Sequence, residues 1–190
     1  MDVKMILMIP VLLFSVIVHE VAHGYIAYLC GDNTAKLQGR LTFNPIPHVD
    51  IFGTIIFPLI LIVTNAPILF GWAKPVPINP YNLRKQERHH LYVSLAGIVA
   101  NLTLAVICTL FYGFYIKIFS SSPDNPIIIL FNYGIRINVI LAVFNLMPIP
   151  PLDGGRVLAG LLPPRQAMVL DKIEPFGFFI VIGLLYLQIL

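Results

Sequence analysis

Ile17-Val18-His19-Glu20-Val21-Ala22-His23-Gly24 reads H-E-x-x-H, and the run around it sets the class of the whole chain. On a helix, residues four apart lie on one face about a turn apart. The imidazoles of His19 and His23 can therefore converge on one metal ion while Glu20 points at a water bound there. Five residues fixing three identities also occur by chance on exposed helices of soluble proteins. Here the motif lies in an apolar run from Met5-Ile6-Leu7-Met8-Ile9 through Tyr25-Ile26-Ala27-Tyr28-Leu29 that carries no other charged group. Ionisable side chains inside a membrane span are costly and mark function by default. The competing reading makes the three side chains a self-satisfied polar cluster in a helix bundle.

Composition supports the membrane setting. The chain has 190 residues, 58% hydrophobic and 11% charged, with a mean hydropathy of +0.87. Soluble domains carry about 25% charged residues. This is the composition of an integral membrane protein. At about 20 residues per span the length admits four to six membrane segments in one domain, residues 1–190, with no room for an appended soluble module. The net charge of +3 is scattered and forms no basic tract, so nucleic acid is excluded as a partner. Cys30 and Cys108 both fall in apolar helices and form neither a disulfide framework nor a paired metal motif. Lys4 ahead of an apolar run imitates a secretion signal, but no small-residue cleavage site follows, and the run reads as an uncleaved first span.

Outward from the motif, the first helix is expected from about Lys4 to Cys30, stopped by Gly31-Asp32-Asn33. Thr34 to Asp50, with partial alternation and Pro45 and Pro47, is expected as extended chain or short strands. Ile51 to Val63 is apolar, carries Pro58 and is too short to span, as expected of a re-entrant or buried segment. Gly71 to Pro80 again reads as extended, and Tyr81 to His90 as a basic interfacial stretch containing His89 and His90. Leu91 to Ile116 and Ile127 to Met147 are long enough to span, and Phe176 to Leu190 makes a short last segment. Lys and Arg collect on the cytoplasmic side of a membrane. If Ile51 to Val63 is re-entrant, only Lys4 and Lys117 lie opposite all the other loop cations. That arrangement puts the N-terminus outside and the motif in the cytoplasmic half of the first helix. The expected fold is an all-α polytopic membrane protein with four to five transmembrane helices, a re-entrant apolar hairpin and short extended segments. Arg136, in mid-span, is expected to find a structural partner within the bundle.

A catalytic zinc takes three protein ligands and leaves one position for water. The third ligand must come from among Asp153, His48, Asp50, His89, His90 and Glu174. Asp153 stands out in Phe144-Asn145-Leu146-Met147-Pro148-Ile149-Pro150-Pro151-Leu152-Asp153-Gly154-Gly155-Arg156. The prolines stop a helix near Met147, and the two glycines let the backbone turn sharply after the carboxylate. The alternative is a surface turn in which Asp153 pairs with Arg156.

Together, His19-Glu20-x-x-His23 in a first span and Asn145-x-x-Pro148 with Leu152-Asp153-Gly154 near the end of a later one resemble the site-2 protease family of intramembrane zinc metalloproteases. Gly31-Asp32, Asn44-Pro45-x-x-His48-x-Asp50, Gly71-Trp72-Ala73-Lys74-Pro75-Val76-Pro77 and Ala96-Gly97-x-x-x-Asn101 extend the likeness, in the style of the short bacterial and archaeal branch, over nearly the whole chain. The resemblance implies that His19, His23 and Asp153 bind one zinc ion, that Glu20 is the general base, and that Asn145 helps hold the substrate backbone. It also implies an active site reached from the cytoplasmic side of a prokaryotic cell membrane. Ile98 departs from the proline that the family often has there, and no regulatory domain is seen.

On this reading the partners are the lipid bilayer and transmembrane protein substrates, whose helices must unwind to expose a carbonyl. Leu37 to Phe43 and Ala73 to Ile78 are candidate segments for adding the unwound chain as a strand. His48 is a candidate substrate-side residue, with contact to solvent or headgroups as its alternative. Asn101-Leu102-Thr103 matches a glycosylation sequon inside a span, a coincidence. Competing functions are a divalent-metal transporter, which would need ligands repeated along several helices, and a catalytically silent membrane scaffold.

Overall fold

The computed structural model describes residues 3–64, 71–119 and 125–186, and its regular structure is helical throughout. Helix α1 (Val3–Leu29) follows the first apolar run. It ends where Gly31 takes a left-handed φ of 113°, which lets Asp32 N donate to Ala27 O at 2.9 Å and satisfy a terminal carbonyl. After the one-turn helix α2 (Thr34–Leu37) and a single tight turn at Ile46–His48, a wide helical segment, Ile51–Ile56, runs directly into α3 (Phe57–Val63). Then come α4 (Gln86–Phe119), α5 (Pro126–Leu146), α6 (Asp153–Leu161) and α7 (Pro164–Tyr186).

Among the described residues, three helices are long and apolar enough to cross a membrane: Leu7–Leu29, Arg88–Phe119 and Pro126–Leu146. They pack on one another as a three-helix core, with α6 laid against α4 and α7 against α6. Contact is close where side chains are small. A Cβ on Gly134 of α5 would lie 2.7 Å from Cys108 Sγ on α4, and Ala27, Ala96 and Ala142 are buried. Helix α7 begins at Pro164, before the expected last segment, and its first half carries Arg165, Asp171, Lys172 and Glu174. The last four residues of that segment lie outside the described residues.

Two expectations change. Thr34 to Asp50 contains no strand: α2, a turn and the Ile46–His48 turn replace it. Pro45 and Pro47 lack the N–H that a ladder needs, and among the described residues no strand is available to pair with them. Arg136 has no bundle partner among the described residues: it is exposed on α5 while Asn138, on the opposite face, is wholly buried. The apolar segment Ile51–Val63, at roughly 20 Å, is shorter than the roughly 30 Å hydrocarbon layer, and the chain comes back beside it. Trp72 N donates to Gly53 O at 3.1 Å, and Thr54 Oγ1 donates to Trp72 O at 2.8 Å.

Candidate active site

The helical period of α1 brings His19 and His23 together, with ring centroids 4.6 Å apart and Nε2 atoms 3.0 Å apart. Asp153, the first residue of α6, reaches the same point. Its Oδ2 lies 3.0 Å from His19 Nε2 and 3.1 Å from His23 Nε2. All three residues are buried, each 7% exposed. Among the described residues they are the one group of three His, Cys, Asp or Glu close enough to hold an ion together.

Close approach of backbones makes this possible. A Cβ on Gly97 of α4 would sit 2.4 Å from both His19 Cε1 and His23 Nε2, so α4 can pass the imidazoles only without a side chain there. The two glycines after Asp153 work in the same way, not as the sharp turn expected of them. Both lie inside α6 with ordinary φ. A Cβ on Gly154 would sit 2.2 Å from Leu146 O, so their bareness lets α6 dock on the end of α5.

The donor chemistry fits a small cation. His23 Nδ1 lies 2.6 Å from Val93 O, and a carbonyl only accepts. Nδ1 therefore carries the proton, and Nε2 turns a lone pair toward His19 and Asp153. His19 Nδ1 lies 2.6 Å from Asn101 Oδ1. The spacings of 3.0–3.1 Å are near the roughly 3.3 Å that separates ligands of a tetrahedral ion with bonds of about 2.0 Å. The Asp153 carboxylate turns Oδ2, also an acceptor, to the same point as the two Nε2 atoms. Its place in the first turn of α6 favours the anion.

Glu20 faces another element: its Oε2 accepts from Val76 N at 2.8 Å. Residues 73–78 are neither helix nor strand, and the protein holds their backbone from several sides. Arg40 Nη2 donates to Lys74 O at 2.7 Å and Pro75 O at 3.2 Å, and Lys74 N donates to His48 O at 2.9 Å. His48 is wholly buried, in neither solvent nor headgroup contact, and its Nε2 donates to Thr42 O at 2.9 Å. It does not join His19, His23 and Asp153. Asn145 Nδ2 donates to Leu141 O of its own helix at 2.9 Å. Of the other ligand candidates, Asp50 accepts from Gly53 N as a helix cap, Lys85 N donates to His89 Nδ1, and Glu174 lies 3.3 Å from Arg156 Nη2. That pair removes the surface-turn reading of Asp153 with Arg156.

Sequence reasoning missed Val93, whose carbonyl accepts from His23, and gave Asn101 no role beyond its place in the Ala96-Gly97-x-x-x-Asn101 likeness, reading its sequon as chance. It also missed Ser15 and Asn138, which are buried with Asn101. Two asparagines inside apolar spans, and a serine one turn before His19, were the available signal.

The sequence profile of Peptidase family M50 matches residues 113–187, which include Asp153 but not His19–His23. Curated relatives bearing the name "Putative zinc metalloprotease" include YwhC of Bacillus subtilis, 41% identical over 177 residues, covering 89% of this chain and 75% of that protein. Rip2 of Mycolicibacterium smegmatis is 31% identical over 185 residues, 95% of this chain and 66% of that protein. Rip2 of Mycobacterium tuberculosis is 27% identical over 169 residues, 87% and 61%. No solved structure matches the chain significantly. With this likeness spread along nearly its whole length, and apolar helices able to span a bilayer, the chain belongs to peptidase family M50, the site-2 proteases, and is a zinc-dependent metallopeptidase of the membrane.

Proposed function

We propose that this metallopeptidase hydrolyses peptide bonds within or near transmembrane segments of other membrane proteins, as in regulated intramembrane proteolysis. His19, His23 and Asp153 hold one zinc ion per chain, and Glu20 is the general base. The observation that carries the reading is the convergence of two imidazole nitrogens and a carboxylate oxygen within 3.1 Å at a buried point where α1, α4 and α6 meet.

Zinc held there supplies Lewis acidity, polarising a carbonyl and lowering the pKa of a water to roughly 7. Glu20 takes a proton from the attacking water and delivers it to the leaving amine. Its Oε2 is steadied by Val76 N–H, which leaves Oε1 for the transfer. Residues 73–78, held by Arg40 and His48, lie against Glu20, and this is where the unwound substrate would add as an extended strand. The other candidate segment begins in α2 and a turn, which suits it less. His48 supports the substrate side by fixing Lys74, and the Asn145 amide caps freed substrate backbone groups by exchanging its bond to Leu141 O.

In the membrane, α1, α4 and α5 span, α7 completes a fourth crossing, and Ile51–Val63 with its return forms a re-entrant hairpin. The site opens to the cytoplasm of a prokaryotic cell. This arrangement leaves only Lys4 and Lys117 on the far side, and the bacterial sources of the relatives support a prokaryotic setting. Residues 1–190 act as one domain.

Metal content and cleavage of tagged single-span peptides, measured on detergent-purified protein, test the reading. Wild type and Glu20→Gln are expected to hold about one zinc each, with cutting by wild type alone, while His23→Ala loses both. Cleavage by Glu20→Gln would remove Glu20 from the base role.

A further inference from the structure

Behind His19 lies a chain of buried polar groups whose direction is set by the backbone. Ser15 Oγ donates to Val11 O at 2.8 Å. Its lone pairs therefore face Asn138 Nδ2, 2.9 Å away, and the second hydrogen of that amide goes to Gly134 O at 2.8 Å. Both amide hydrogens of Asn138 are thus committed, and its Oδ1 must face Asn101, where Nδ2 donates to it at 2.7 Å. The other hydrogen of Asn101 goes to Ser15 O at 3.2 Å. That leaves Asn101 Oδ1 facing His19 Nδ1 at 2.6 Å.

Backbone carbonyls of Val11, Ser15 and Gly134 can only accept. Reversing Asn138 would set its oxygen against Gly134 O, and reversing Asn101 would set oxygen against both Ser15 O and Asn138 Oδ1. No solvent could relieve either clash, since Ser15 is 1% exposed and both asparagines 0%. The amide orientations are therefore dictated by the hydrogen-bonding partners. At the end of the chain, Asn101 Oδ1 requires a proton on His19 Nδ1, which leaves the Nε2 lone pair aimed at His23 and Asp153.

We infer that Asn101 is a positioning residue that holds His19 in the metal-binding tautomer, and that Asn138, with Ser15, acts through it by fixing which end of the Asn101 amide faces the imidazole. The inference rests on His19 being a zinc ligand. Polar groups behind a ligating histidine typically contribute 10–100-fold to metal affinity. A bundle-packing role alone, in which the asparagines merely join α1, α4 and α5, predicts a different pattern under substitution.

The test is a zinc titration of the full chain in detergent against a chromophoric chelator, with thermal unfolding measured in parallel. Asn101→Leu removes the acceptor at similar volume and is expected to weaken zinc binding roughly 10–100-fold. Asn101→Asp keeps an acceptor for Nδ1–H but turns its second oxygen toward Ser15 O and Asn138 Oδ1, so it is expected to unfold at a lower temperature than wild type while binding zinc more tightly than folded Asn101→Leu. The decisive comparison uses Asn138→Leu. It should weaken zinc binding about 10-fold in the wild-type background and not in the Asn101→Asp background, since a carboxylate has two equivalent oxygens and needs no orienting partner. Equal losses in both backgrounds, or an unchanged zinc affinity for folded Asn101→Leu, would overturn the inference. If a leucine variant does not fold, ¹⁵N-histidine spectra of metal-stripped wild type decide: a His19 proton on Nε2 alone overturns it. His19→Ala in the same titration separates the two claims. Undiminished zinc binding by that variant defeats the ligand assignment and the inference together, whereas loss of zinc there beside normal binding in Asn101→Leu defeats the inference only.

Discussion

A methyl group at residue 97 would occupy space already filled by two imidazoles. The Cβ would lie 2.4 Å from His19 Cε1 and His23 Nε2 and 2.6 Å from His19 Nδ1. In a packed interior such an overlap is relieved by shifting side chains, at a penalty of about 1–3 kcal/mol. Here the atoms that must shift are the proposed ligands. Gly97→Ala is therefore expected to weaken zinc binding by roughly 5- to 150-fold and to abolish most cleavage while helical content stays unchanged. Chelator competition and circular dichroism on the purified variant check both parts. In the sequence, Ala96-Gly97 counted only toward the family likeness, because a sequence does not show what a glycine lies against.

At the scale of elements, the junction between α1 and α4 hangs on Asp32. The carboxylate accepts from Thr34 N at 3.0 Å, Thr34 Oγ1, Asn82 Nδ2 at 2.9 Å and Asn79 N at 2.7 Å. It thereby ties the end of α1 to the turn that leads into α4. Burial pushes the group up, and these hydrogen bonds outweigh it, so its folded-state pKa lies below the ordinary value. A depressed carboxylate stabilises the fold above its unfolded pKa of about 3.9, and that contribution fades as pH falls from there through the lower folded value. Asp32→Asn loses the charge-assisted bonds, at about 1–3 kcal/mol. It is expected to lower the unfolding temperature at neutral pH and to flatten its fall below pH 4, as thermal scans across pH 3–7 would show. A variant equal to wild type at neutral pH would make Asp32 a bystander. The sequence marked Gly31-Asp32-Asn33 as a helix stop, which it is. Asn79 and Asn82, its partners some fifty residues further on, were not legible.

Over the whole molecule, the proposed zinc site joins α1, near the start of the chain, to α6, which follows the last of the three apolar helices. A ligand that binds only the folded state stabilises it by mass action, about 2.7 kcal/mol at a hundredfold excess over its dissociation constant. Removing zinc with a chelator is expected to lower the unfolding temperature of wild type reversibly. Asp153→Asn, which breaks the link to α6, should show a much smaller response. A full response in that variant would place the stabilising metal elsewhere. On that proposal α6 can be short and glycine-rich: Gly154 and Gly155 set it against residues 146–150, and the proposed ion would complete the attachment.

By itself the sequence determined the membrane class, the course and ends of α1, the end of α5 before Pro148, and the shared face of His19 and His23. Each of these follows from hydropathy, helical period or proline within a short window. It also ranked Asp153 first among the third-ligand candidates without deciding between them. Only the tertiary structure decided that Asp153 meets the histidines across 130 positions, that Arg136 faces outward, and that residues 34–50 turn rather than extend. It alone showed that Val93 O and Asn101 Oδ1 stand behind the imidazoles and that Val76 N–H meets Glu20. The physical reason is one of range. Local rules act over a turn or two of helix, whereas these contacts depend on how closely α4 and α6 can approach, set by bare glycines whose neighbours come from distant parts of the chain.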